Sequence, residues 1–251
     1  MSIEEIMEKS DRNGVTLVVG ADSDIGAKLI ETISTDVIAH YYLSKEKAEA
    51  TASNRDNLWS VYGDLSSVPG ITEFIQGVVA IDRHISRIVH LPSSPAKPNR
   101  ITKFDPNRYL REINIQVVSA AMILQAFLPA MVKDNFGRIA MVLTSYCIGV
   151  PPKYLSEYVS AKYALMGLMK SLAVEYAGKG ITINAVAPSM TETNFLSTLP
   201  EFEIESTAKA HPMGRIATPE DIVGILGMLL KQDIEYMTGT IIPITGGTAF
   251  F

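Results

Sequence analysis

The sequence predicts an α/β fold in one domain: a doubly wound parallel sheet with helices on both faces. Three observations predict it. Short β-branched runs alternate with longer helical periods from Val15 to the end of the chain. The runs are nearly continuous in apolar residues and do not alternate strictly, as expected for strands covered on both faces. No stretch rich in Pro, Gly or Ser divides the 251 residues, and no internal repeat is visible. An α/β chain of this length is routinely one domain, and 47% hydrophobic with 20% charged residues suits a well-filled core.

The elements follow in order. VTLVVG (Val15 to Gly20) is the first strand and the pattern of Ile25 to Ser34 the first helix. VIAHYY (Val37 to Tyr42) and LWSVY (Leu58 to Tyr62) are strands around a helix at Lys45 to Ser53. A helix at Val68 to Val79 leads to the strand RIVHL (Arg87 to Leu91), and a long helical run, Pro106 to Val132, leads to RIAMVLT (Arg138 to Thr144). The helix Ser156 to Gly178, the strand ITINAVAP (Ile181 to Pro188), the helix Pro219 to Leu230 and the strand TIIPI (Thr240 to Ile244) complete the pattern. Residues 1–13 read as a short N-terminal extension and residues 190–215, of less regular pattern, as a substrate-binding segment within a single domain spanning 1–251.

Composition excludes several classes. A net charge of −5, with 22 basic residues and none in runs, argues against a nucleic-acid surface and for a small-molecule ligand. The single cysteine, Cys147, cannot build an intrachain disulfide framework and suits a reducing cytoplasm. The first residues lack the apolar core of a signal peptide, and no 18 uncharged apolar residues run together, so neither export nor a membrane span is expected. His40, His84 and His211 show no metal-ligand spacing, and His90 reads as a hydrogen-bonded strand-end residue.

Two features carry chemistry. The first strand runs into GADSDIG, where Gly20 and Gly26 let a backbone approach a pyrophosphate held by helix N-terminal amides; the other reading is an ordinary turn with Asp24 as N-cap. Tyr158 and Lys162 stand four residues apart in a helical pattern, so phenol and ammonium share a face. A nearby cation lowers a tyrosine pKa, which makes Tyr158 a candidate acid or base. Tyr41 and Lys45 have the same spacing, so context must separate the pairs.

With all segments placed, the chain resembles the short-chain dehydrogenase/reductase family over nearly its whole length, closest to reductases of 3-oxoacyl thioesters and small ketones. The resemblance rests on the glycine loop, Asp64 after the third strand, Asn114, GRI before the fifth strand, and Tyr158 with Lys162. It continues through INAVAPSMTET, GRIATPEDI and TGTIIPITGG. It implies a Rossmann-type sheet and hydride transfer with a nicotinamide cofactor. Tyr158 would protonate the substrate oxygen, Lys162 would lower its pKa and bind the nicotinamide ribose, and Asn114 would hold a water linking Lys162 to solvent. The substrate-orienting hydroxyl falls on Ser145 when counted back from Tyr158 and on Thr144 when counted forward from GRI; the distance to the tyrosine favours Ser145.

The cofactor contacts implied are Gly20, Ser23, Asp24, Ile25, Gly26, Tyr42, Ser44, Lys45, Asp64, Leu65, His90, Leu91, Pro92, Tyr158, Lys162, Pro188, Thr191 and Thr193. The second strand ends in HYYLSKEK, with Tyr41 where NAD users place an acid, and Lys45 beyond it is a phosphate contact; this points to NADP(H) over NAD(H), although Asp22 is acidic. Three positions depart from the family pattern: Asp24 for the middle glycine, His90-Leu91-Pro92-Ser93 for Asn-Asn-Ala-Gly, and Ser189 for the glycine after Pro188.

The expected function is an NADP-dependent carbonyl reductase or alcohol dehydrogenase acting on a small ketone or secondary alcohol. One alternative is a 3-oxoacyl-carrier-protein reductase of a specialised pathway, acting on an acyl thioester; Asn135 and Val174 stand where basic carrier contacts are often found. The other is a catalytically impaired member serving as a binding or assembly subunit. The substrate pocket is expected at 92–101, 147–154 and 190–210. The segments 116–131 and 161–177 are apolar over more than one face, and the family commonly pairs these helices, so a homotetramer or homodimer is expected.

Overall fold

The computed structural model describes residues 14–50, 57–95 and 97–249. The expected extension at 1–13 and the last three residues of the expected helix 45–53 lie outside the described residues. Among the described residues seven parallel strands form one sheet: β1 Val15–Val19, β2 Val37–Tyr41, β3 Leu58–Tyr62, β4 Ile85–His90, β5 Gly137–Val142, β6 Ile181–Pro188 and β7 Ile241–Ile244. Their order is β3-β2-β1-β4-β5-β6-β7. In register, Leu17 stands beside Ile38 on one side and Ile88 on the other, and Ile139 beside Ile183.

The continuous apolar runs are explained by two cores. Leu17, Ile38, Ile88, Ile139 and Ile183 face one, and Val18, Val37, Ala39, Val89 and Val186 face the other. Successive strand residues point to opposite faces, so a strand covered on both sides needs apolar residues at every position. The first core is closed by α3 (Val68–Val79), α5 (Ser119–Lys133) and α6 (Ser156–Glu175), through Phe74, Ile123, Leu128 and Leu165. The second is closed by α1 (Asp24–Thr32) and α8 (Pro219–Leu229), through Leu29, Ile30, Ile222 and Leu226. The short α2 (Lys45–Ala50) packs against β2 and β3.

Local chemistry sets the helix ends. Ser23 caps α1, its Oγ accepting from Gly26 N at 3.0 Å, so Asp24 is not the N-cap. Thr218 and Asp221 form a capping box at α8, with Pro219 in the first turn and Arg215 paired to Asp221. The run expected as one helix from Pro106 is instead α4 (Pro106–Ile113), a π segment (Asn114–Val118) and α5. The wider turn coincides with side chains that bond away from the regular ladder: Asn114 Nδ2 donates to Ser66 O at 2.9 Å and Ser119 Oγ to Ile115 O at 2.6 Å. By length and composition Pro106–Lys133 would suffice to cross a membrane, yet its Ala120, Ile123, Leu124, Leu128 and Met131 are buried in the first core. A further helix, α7 (Glu201–Ala210), lies in the segment read as irregular; none of its residues is buried, so it has no apolar stripe to betray it.

Two buried arginines close the amino-terminal edge of the sheet. Arg138, 1% exposed, donates from Nε to Lys231 O (3.0 Å), from Nη2 to Gln232 O (2.6 Å) and from Nη1 to Gly180 O (3.0 Å). Arg87 Nε reaches Leu230 O at 3.0 Å, and both guanidinium groups lie over the Phe136 ring. Carbonyls at a helix C-terminus carry partial negative charge and lack helical donors, which the two cations supply.

Two strand-end histidines are also buried. His40 accepts from Gly20 N through Nδ1 at 3.0 Å, and its Nε2 lies 3.0 Å from Gly63 O, so the neutral ring with Nε2 protonated satisfies both contacts. His90 Nε2 lies 2.9 Å from Ser119 Oγ; because that hydroxyl donates to Ile115 O, the ring must donate to it. Burial, reinforced by the charge of Lys162, pushes His90 down to about 3, and burial lowers His40 too.

Removing Arg138 takes its donors from the adjacent Lys231 and Gln232 carbonyls and leaves Gly180 O with only the Gly137 amide. Arg138→Ala should therefore cost about 3 kcal/mol in urea unfolding, measured against an exposed Arg→Ala control. His90 is neutral in the folded chain but titrates near 6.5 when unfolded, so between about 6.5 and 3 the unfolded chain binds more protons and stability falls as pH falls. From pH 7 to pH 5 this one group should remove about 2 kcal/mol. In unfolding curves at the two pH values, His90→Asn should lose that part of the drop.

Candidate active site

The sheet order turns back between β1 and β4, and a cavity of about 490 Å³ opens there at the carboxyl ends of the strands. Crevices at such switch points are where open α/β sheets bind ligands. A cavity of about 520 Å³ lies at the opposite edge, beside Asn135, Gly178, Gly180 and Tyr236; it contains no pairing of phenol and ammonium like that of Tyr158 and Lys162.

α6 brings Tyr158 and Lys162 to the cavity wall one turn apart. Lys162 is 2% exposed, and its Nζ donates to Val142 O, the last carbonyl of β5, at 2.8 Å. It lies 5.8 Å from the Tyr158 ring centroid. Burial lowers the Lys162 ammonium to about 8, opposed by the negative charge of Glu112. Burial pushes the Tyr158 phenol well above its usual range, and a hydrogen bond with the Thr144 hydroxyl offsets part of that. This corrects the expectation of a phenol lowered by its neighbouring cation: desolvation outweighs attraction here, because Lys162 is turned towards Val142. Phe195 packs against Tyr158 with ring centroids 5.7 Å apart.

The two candidate hydroxyls are placed differently. Thr144, immediately beyond β5, lines the cavity and meets Tyr158, whereas Ser145 opens a 3-10 turn (Ser145–Cys147) and does not line the cavity.

On the dinucleotide side the walls are Gly20, Ser23, Asp24, Ile25, Tyr42, Asp64, Leu65, Leu91, Pro92, Pro188, Thr191 and Thr193, all expected from sequence. Gly20 has φ +84°, a left-handed conformation that favours glycine. Gly26 lies one turn inside α1, where a Cβ would strike the Gly20 carbonyl; it serves close packing and does not line the cavity. His90 sits beneath the wall, and Asn114 is in the π segment with its amide on Ser66 O. Lys45 pairs with Glu49 at 3.6 Å, and neither it, Tyr41 nor Ser44 lines the cavity. The cation facing it from α2 is Lys47.

Glu112 and Gln116 escaped sequence reading, as did the partners of Asp22 and Asp64. Asp22 Oδ2 accepts from Tyr42 N (3.0 Å) and Leu43 N (2.8 Å), fixing the turn after β2. Burial pushes the Asp64 carboxyl up, but hydrogen bonds from Ser66 hold it below its usual range. Glu112 is 9% exposed and accepts from Ser94 N at 3.2 Å, with Gln116 Nε2 in short contact and Ser93 Oγ at 3.4 Å. This group supports the loop that stands where the family places Asn-Ala-Gly, so Ser93 is accommodated by a carboxylate from α4. The signal was available as a Glu and a Gln four residues apart on a helix, without a way to know which loop they meet. The Ser189 hydroxyl is buried on the cavity wall with no hydrogen-bond partner.

The profile of a family described as Enoyl-(Acyl carrier protein) reductase matches residues 25–249. An uncharacterized oxidoreductase, YmfI of Bacillus subtilis (strain 168), is 30% identical over 244 residues, covering 94% of this chain and 98% of that protein. The cyclohexanol dehydrogenase of Acinetobacter sp. (strain SE19) is 27% identical, covering 97% and 98%. The crystal structure of a 3-oxoacyl (acyl-carrier-protein) reductase from Agrobacterium tumefaciens C58 with NADP bound superimposes with a TM-score of 0.84, at 25% identity, covering 98% of this chain and 100% of that one. With a seven-stranded parallel sheet, the switch-point cavity and these matches along its length, the chain belongs to the short-chain dehydrogenase/reductase family of oxidoreductases.

Proposed function

We propose that this cavity binds a nicotinamide dinucleotide and interconverts a ketone and a secondary alcohol, with Tyr158 as general acid and base. The observation that carries the reading is the wall on which the Tyr158 phenol meets the Thr144 hydroxyl, with the Lys162 ammonium buried one turn away.

The residues present fit the cofactor. Gly20 leaves the backbone bare beside the N-terminal amides of α1, Leu65, Leu91 and Pro92 offer apolar faces for flat rings, and the Ser189 hydroxyl awaits a partner. When bound, the nicotinamide supplies hydride in reduction and takes it up in oxidation. Burial keeps Tyr158 protonated at neutral pH, so its phenol can give a proton to the oxygen of a reacting carbonyl. The buried charge of Lys162 stabilises the phenolate left behind, in surroundings where charge interacts more strongly than in water. Thr144, beside Tyr158 on the cavity wall, orients that same oxygen. Asn114 helps to hold the π segment against which α6 packs.

NADP(H) over NAD(H) is the reading favoured by the absence of an acid at the end of β2 and by Lys47 facing the cavity, while the Asp22 charge is spent on backbone amides. The NADP bound to the Agrobacterium relative supports it. A cyclic secondary alcohol or ketone is supported by the name of the Acinetobacter relative, and a 3-oxoacyl thioester by that of the Agrobacterium one. Val174, 79% exposed on α6, offers an acidic carrier protein no charge, which favours the small ketone. Tyr163 and Val174 also leave apolar surface on α6, the basis for a homodimer or homotetramer.

Tyr158→Phe should lower turnover by about 10²–10⁴-fold on a ketone panel, yet leave NADPH affinity by fluorescence titration near that of the wild type. Thr144→Val should cost kcat about 10²-fold while Ser145→Ala costs little; the opposite order returns the orienting role to Ser145. Wild-type protein that binds no dinucleotide at millimolar concentration overturns the reading. Light scattering at micromolar concentration should give a dimer or tetramer, and a monomer would refute the assembly.

A further inference from the structure

The residue that departs most from a phosphate-binding turn is Asp24, and its carboxylate is doubly engaged. Because Ser23 takes the capping position, Asp24 is free to reach out from the first turn of α1. Its Oδ1 lies 2.6 Å from Lys47 Nζ on α2, and its Oδ2 accepts from Asn194 N at 2.6 Å. Asn194 opens the 3-10 turn Asn194–Thr198, in the segment that also carries Phe195 against Tyr158. Asp24, Lys47 and Asn194 all line the one cavity. A single carboxylate therefore ties together both walls, the dinucleotide side through Lys47 and the substrate side through Asn194.

From this geometry, and resting on the dinucleotide reading above, we infer that Asp24 is an autoinhibitory latch that competes with a dinucleotide phosphate for Lys47. Lys47 is the phosphate-binding cation of α2, a part that the sequence pattern assigned to Lys45. A phosphate entering beside α1 meets the Asp24 charge and can use Lys47 only if that ion pair opens. Both side chains are about a quarter to a third exposed, at 26% and 32%, so the pair is solvent-screened and can exchange partners without stranding a buried charge. When Lys47 turns to the phosphate, Asp24 keeps the Asn194 amide, and the substrate wall remains tied to α1. No bond is made or broken in this exchange; only the partner of one ammonium changes.

The test is a double-mutant cycle on NADPH affinity, read by fluorescence titration at fixed low ionic strength, with Asp24→Asn, Lys47→Ala and the pair together. Asp24→Asn should tighten binding roughly 3- to 10-fold, the range expected when one partly exposed ion pair no longer has to be broken. Lys47→Ala should weaken binding several-fold more in the Asp24→Asn background than in the wild type, because only there is the ammonium uncommitted beforehand. Asp24→Gly should change affinity in the same direction as Asp24→Asn, which guards against a folding defect in either variant. Equal effects of Lys47→Ala in both backgrounds would mean that Asp24 merely repels the phosphate, and would overturn the latch. Weaker binding in both Asp24 variants would overturn it as well. If neither wild type nor variants bind NADPH or NADH at millimolar concentration, the dinucleotide reading fails and the latch with it.

Discussion

A buried ammonium group must find a partner or lose its charge, and in this protein that constraint acts on Lys162, beside Tyr158 on the cavity wall. Lys162 is out of water, so its Nζ takes the last carbonyl of β5, an oxygen that has no further strand residue to serve. That bond acts with the buried Leu165, Met169 and Ala173 to seat α6 against the sheet. Tyr158, one turn earlier on the same face, is then carried to the end of β5, where the chain leaves the sheet through Thr144. The phenol and the ammonium come from α6 and the hydroxyl from the end of β5, and the Lys162 bond to Val142 links the two.

The other half of the cavity is organised by neutral and anionic groups that serve the backbone. His40 spans from Gly20 to Gly63, joining the ends of β1 and β3 across β2, and Asp22 gathers the amides of the turn after β2. Glu112 does the same for the loop after β4. In each case a side chain satisfies loop amides or carbonyls that no strand partner reaches, which lets irregular backbone line a cavity without leaving polar groups stranded. The departures from the family pattern in the glycine loop and after β4 are absorbed in this way. Ser93 rests on Glu112, and Asp24 turns aside to Lys47 and Asn194.

Strand runs and helical periods were legible because burial imposes them residue by residue. A strand between two cores must be apolar throughout, and β3 and β6 were read to the residue. The helix at 201–210 was not legible, since an exposed helix places no demand on its pattern. The π segment was hidden for a different reason: its wider turn belongs with side chains bonding to Ser66 and to the preceding turn, and neither partner is visible in a helical period. Of the expected site, residues at strand ends such as Gly20, Asp64, Leu91 and Pro188 do line the cavity. Which side chains face the cavity, Lys47 and not Lys45, Thr144 and not Ser145, depends on the course of each side chain and was not legible.

By itself the sequence determined the parallel α/β fold through its periodicity, the family through the resemblance of its motifs, and the shared face of Tyr158 and Lys162 through their spacing along one helix. Tertiary structure alone decided which hydroxyl meets the phenol, which lysine faces the cavity, and that burial outweighs cation attraction at Tyr158. Those outcomes depend on distances between segments far apart in the chain and on how much water reaches each group, quantities that no local pattern of residues encodes.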